Sequence, residues 1–120
     1  MTEFKEELSK IVNRIDGCIA AIIIGCDGLI VSQYVKEQGS VDVSEINVEL
    51  VNIIRRINQI MEDMRLGSFV EFSLAYEKAH ILMRAINKDY FLSIIMHPGS
   101  NTARGRFIIR TASARIASEF

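Results

Sequence analysis

The sequence predicts an α+β fold: a five-stranded antiparallel sheet with helices on both faces, in the order α-β-β-α-β-β-β-α. Three observations predict it. Apolar residues recur at helical spacing in three stretches, five short apolar runs lie between those stretches, and hairpin-length turns join the runs within each group. Strands linked in that way pair antiparallel, and the helices must cover the faces of the sheet. Residues 1–120 read as a single domain, long enough to bury a core without staples, and free of repeats, linkers and low-complexity segments.

The elements follow in order. Phe4, Leu8, Ile11, Val12 and Ile15 form one helical stripe, with Thr2 as its cap and Asp16-Gly17 as its end. Cys18 to Ile24 has no alternation and is rich in isoleucine, which marks a central strand covered on both faces. Gly25-Cys26-Asp27-Gly28 carries the Asp-Gly signal of a tight hairpin, and Leu29 to Val35 is the returning strand. A polar loop, Lys36 to Val41, leads to a long helix over Ser44 to Met64, capped by Asp42 or Ser44 and stopped by Leu66-Gly67-Ser68. Three strands come next, Phe69 to Tyr76, Ala79 to Ile86 and Tyr90 to His97, turned at Glu77-Lys78 and Asn87-Lys88-Asp89. Pro98-Gly99-Ser100 breaks the last of them. Asn101 or Thr102 caps a final helix whose stripe is Gly105, Ile109, Ala112, Ile116 and Phe120.

Composition narrows the function classes. Apolar residues make up 49% and charged residues 24%, which argues for a packed globule rather than disorder. The net charge of -1, from 14 basic and 15 acidic residues, gives no overall pull toward nucleic acid or an anionic membrane, so neither is expected as a partner. Locally the last fifth is basic, with Arg104, Arg106, Arg110 and Arg115 against Glu119, and reads as a solvated helix face. No run reaches the ~20 apolar residues of a membrane span, and the start of the chain lacks the pattern of a signal peptide. Cys18 and Cys26 read as reduced, structural thiols, and the cytoplasm is the expected address.

Chemistry-bearing motifs are sparse. His80 and His97 stand at no metal-ligand spacing from each other or from the cysteines, so no metal or cofactor is expected. There is no Gly-x-Ser-x-Gly elbow, His-Glu-x-x-His, P-loop or Gly-x-Gly-x-x-Gly, and no pair of carboxylates is placed for acid–base work. A Ser–His or Cys–His pair brought together by the fold stays open at this point. Glu71 is an acid inside a strand, read as a charge that discourages unwanted strand pairing. A non-catalytic binding module is the reading that remains.

The long helix and the strand after it carry that reading. With Ile46 at zero and ~100° per residue, Leu50, Ile53, Ile54, Ile57, Ile60, Met61 and Met64 fall within a sector of ~120°, which is expected to cover the sheet. Val48 and Val51 fall outside it, beside Asn47, Arg55, Asn58 and Glu62, as a mixed surface of the interface kind. The following strand alternates Val70, Phe72, Leu74 and Tyr76 against Phe69, Glu71, Ser73 and Ala75, and suits a sheet edge, which must be paired or blunted. Pairing with its two-fold mate would bury edge and helix flank together, giving a homodimer.

The order of elements resembles the Roadblock / dynein light chain family, particularly its bacterial MglB-like branch. The likeness spans nearly the whole chain. It rests on Asp16-Gly17-Cys18-Ile19-Ala20-Ala21, Asp27-Gly28-Leu29-Ile30-Val31-Ser32, the long helix, the strand from Phe69 to Tyr76, and Asn101-Thr102-Ala103-Arg104-Gly105-Arg106. The resemblance implies dimers whose third strands pair into a continuous sheet, with the second helices side by side on one face. In the bacterial branch that face docks a small Ras-like GTPase and regulates its nucleotide cycle without supplying an arginine finger. Carried onto this chain, Val70, Phe72, Leu74, Val48 and Val51 would serve the dimer, and Arg55, Asn58 and Glu62 the partner. The second helix is bulkier here than in MglB-like members, with Ile53, Ile54, Arg55 and Arg56 in sequence. Two alternatives stand beside this reading: a light-chain-like scaffold for a non-GTPase partner, and a small-molecule sensor on the similar PAS or profilin-like architecture, for which the dense isoleucine, leucine and methionine filling leaves little room.

Overall fold

The computed structural model describes residues 2–39 and 42–120; Ser40 and Val41 of the 36–41 loop lie outside the described residues. The elements are α1 (Thr2–Asn13), β1 (Cys18–Gly25), β2 (Ile30–Val35), α2 (Val43–Asp63), β3 (Glu71–Ala75), β4 (His80–Ala85), β5 (Tyr90–Met96) and α3 (Thr102–Ala117). All strand pairs are antiparallel and the sheet order is β2-β1-β5-β4-β3. The predicted order of elements holds. Their termini shift by a residue or two: Leu29 sits in the turn, and Thr2, read as a cap, is already helical.

The layers follow from alternation along the strands. Ala21, Ile23, Leu82, Leu92, Ile94 and Met96 turn to one face, where α1 and α3 cover them with Leu8, Ile11, Val12, Ile108 and Ile109. Ile22, Ile24, Ile81, Met83, Phe91 and Ile95 turn to the other, under α2. All eight residues of β1 are buried, as its unbroken apolar run predicts. Two glycines permit close approaches. Gly17 has φ +84° and a side chain there would strike the Ser100 hydroxyl, while a Cβ on Gly105 would lie 3.1 Å from Met96 Sδ and 3.3 Å from Leu82 Cδ1, so α3 sits directly on the sheet.

Helix caps are local and legible. Asp42 accepts from the Glu45 amide at 3.0 Å, and Asn101 from the Arg104 amide at 3.0 Å, so the first candidate of each expected pair is the cap. The end of α2 differs. Arg65 takes the left-handed conformation at φ +58°, with its amide on the Glu62 carbonyl and the Leu66 amide on the Met61 carbonyl, a Schellman closure usually given to glycine. Gly67 turns the chain only afterwards. Phe120, read as part of the last stripe, lies beyond α3 and stacks on Phe4 and Tyr90 at centroid distances of 5.3 and 4.4 Å.

The docking face of α2 is not the one its sequence stripe predicts. Val43, Asn47, Leu50, Val51 and Ile54 are buried against the sheet, whereas Ile53 is 49% exposed, Ile60 58% and Met64 67%; Ile57 and Met61 are exposed too. The buried arc is centred about 80° around the helix from Ile46. Val51, assigned to the interface by sequence, is therefore core, and Val48 is half-buried against the same cluster. The reason is physical. Apolar residues span well over half of this helix, so periodicity alone leaves several arcs able to dock, and fit to the sheet chooses among them.

Candidate protein–protein interface

Two features of the α2 side belong together. The first is the apolar arc of Ile53, Ile57, Ile60, Met61 and Met64, which α2 holds away from its own sheet. The second is β3, the edge strand, paired to β4 on one side and to no described strand on the other. Val70 is exposed, and Phe72 and Leu74 are half-buried against the α2-side core with Tyr76 beyond them at 70% exposure. An open strand edge and a run of exposed isoleucine and methionine on the α2 side make this a candidate interaction surface.

The residues read from sequence as partner-binding do not converge. Asn58 and Glu62 line a shallow cleft with Ser68, Phe69, Asn87 and Lys88. Arg55 lies apart, in an outward depression of α2 with Glu49, Asn52 and Gln59. The candidate interface residues that sequence reasoning missed, Ile53, Ile57 and Ile60, were visible as apolar positions but assigned to the sheet. A surplus of apolar circumference was their signal, and its direction was not.

Side-chain chemistry on this frame is modest. Ser73 Oγ and His80 Nε2 lie 2.7 Å apart across the β3–β4 pair, on an exposed edge. The cross-strand bond links the exposed Ser73 to the half-buried His80. His97 meets Glu37 at 3.0 Å on the surface. Burial pushes the Cys18 thiol up to about 12, and its Sγ lies 3.5 Å from the Ile95 carbonyl oxygen. Among the described residues no group of His, Cys, Asp and Glu could hold a metal ion, and no helix is long and apolar enough to cross a membrane.

The opposite side of β3 is where the charge gathers. Glu71 faces α3 and meets three arginines: Arg84 at 3.0 Å, Arg106 at 3.4 Å and Arg110 at 3.6 Å. Arg115 pairs with Glu7, and Arg104 donates through Nε to the Arg14 carbonyl at 2.9 Å. The basic helix is thus tied down at each of its arginines rather than being merely solvated. Glu71 serves as their anchor, and does not point along the strand edge as a deterrent to pairing.

Neither a family model nor a curated protein matches this chain. Solved structures do. The crystal structure of MglC from Myxococcus xanthus is 28% identical, with a TM-score of 0.69 and 98% of each chain covered. Myxococcus xanthus MglB superposes with a TM-score of 0.86 at 13% identity, over 100% of this chain and 96% of that one. A Roadblock/LC7 domain from Streptomyces avermitilis gives 0.83 at 10% identity, over 96% and 95%. At those last two identities the likeness is one of fold.

Proposed function

We infer that this chain, a Roadblock-family member close to the MglB-like proteins, works as a non-catalytic, homodimeric regulator or adaptor for a small Ras-like GTPase. The observation that carries the dimer is the open β3 edge beside the exposed arc of Ile53, Ile57, Ile60, Met61 and Met64. Pairing two β3 edges about a two-fold axis normal to the sheet satisfies the free backbone groups and joins two sheets into one. Val70, Phe72 and Leu74 sit at that seam. The same operation brings two α2 helices to one face, where their apolar arcs cover each other. Arg55, on the outward side of α2, and Asn58 and Glu62, in the cleft beside Phe69, are assigned to the partner.

The partner class comes from the MglB-like resemblance. The test mixes the protein with a small GTPase encoded beside it, in the GDP and GTP states, and follows complex formation and GTP turnover. A nucleotide-dependent complex with altered turnover or exchange supports the reading, and Arg55→Glu should weaken it while leaving the dimer intact. No complex overturns it, and a complex indifferent to nucleotide points instead to a light-chain-like scaffold.

A further inference from the structure

The α3 side of the molecule carries a charge imbalance that the GTPase reading does not use. Arg84, Arg106 and Arg110 converge on the one carboxylate of Glu71. Only Arg84 makes a hydrogen bond to it, at 3.0 Å; the other two stand at ion-pair distance. A guanidinium offers about five N–H donors and a carboxylate about four acceptor positions, so most of the donors here are unspent. Arg106 and Arg110 are 43% and 56% exposed, and between them in sequence Phe107 is 59% exposed. Phe107 stands on the outward side of α3, opposite its buried stripe, whereas Arg106 and Arg110 lie on the flank toward β3.

The fold puts two such clusters opposite each other. Resting on the edge-paired dimer proposed above, a two-fold axis normal to the sheet keeps both α3 helices on one face, across the paired β3 strands. Ser73 and Ala75 are exposed on the floor between them, on the same side of β3 as Glu71. We propose that this trench holds an acidic polypeptide segment of a partner protein, with Arg106 and Arg110 of both protomers binding its carboxylates. Arginine forks favour carboxylates, and the polypeptide backbone can follow the strand floor. This face lies on the opposite side of the sheet from α2, so both partners can bind at once.

The test is fluorescence anisotropy on the full chain, using a labelled peptide that alternates glutamates with leucines and the same peptide with lysines in their place. Light scattering on the same samples reads the oligomeric state. The glutamate peptide binds the dimer, more weakly as salt rises, and the lysine peptide does not. Arg106→Gln/Arg110→Gln weakens binding by about tenfold or more, with the dimer and melting temperature retained. A dimer that ignores the peptide, or binds it equally well after the arginine substitutions, overturns the trench alone. Tighter binding of a DNA duplex or phosphatidylserine vesicles than of the peptide also overturns it. A monomer overturns the edge-paired dimer, and the trench with it.

Discussion

Ile53 and Ile54 are neighbours with opposite fates, and substituting each by alanine tests the phase of α2. Ile54 is 1% exposed and packs on the sheet, whereas Ile53 is 49% exposed. Alanine at position 54 removes three buried carbons, about 2.5 kcal/mol by transfer alone, and the cavity left behind raises the cost to about 3–4 kcal/mol. That is a large share of the ~5–15 kcal/mol by which such a fold is stable. At position 53 only about half as much surface is lost to the monomer, about 1 kcal/mol, and alanine's better helix propensity returns a few tenths. Urea unfolding at high dilution, where association does not contribute, should show a much lower midpoint for Ile54→Ala than for Ile53→Ala. Raising the protein concentration should stabilise the wild type more than Ile53→Ala, because dimerisation is linked to folding. Equal losses at both positions under dilution, or a larger one at position 53, would refute the packing of α2 described here.

Four further outcomes are expected. Phe72→Asp or Leu74→Asp places a carboxylate on the paired β3 edges and should give monomer or aggregate by light scattering; an unchanged dimer would remove this strand from the seam. Arg65→Gly relieves a left-handed residue and should stabilise the fold by about 0.5–1 kcal/mol in urea titrations; no gain would refute that strain. One thiol per native chain, the partly exposed Cys26, should react with a disulfide reagent at pH 8, and Cys18 only after unfolding. Because the folded Cys18 value lies above the ordinary 9.0, its contribution is whole below about pH 9 and is lost as the pH rises toward 12; Cys18→Ala should flatten that alkaline decline.

What sequence alone determined about this protein is the part governed by local chemistry. The unbroken apolar run of β1, caps at Asp42 and Asn101, the Asp27-Gly28 turn and the polar links between the last three strands suffice for the element order and antiparallel sheet. β3 was legible as an edge from its alternation and its position after a long excursion. Tertiary structure decided the rest. Which arc of α2 docks depends on the relief of the sheet beneath it, so Val51 and Ile54 went inside while Ile53 and Ile57 stayed out. The arginine cluster depends on register: Glu71 stands opposite Arg84 across two strands, and α3 crosses that point with Arg106 and Arg110. Periodicity shows that a helix has an apolar side, but where several arcs are apolar, only packing against the other elements selects one and leaves the remainder exposed.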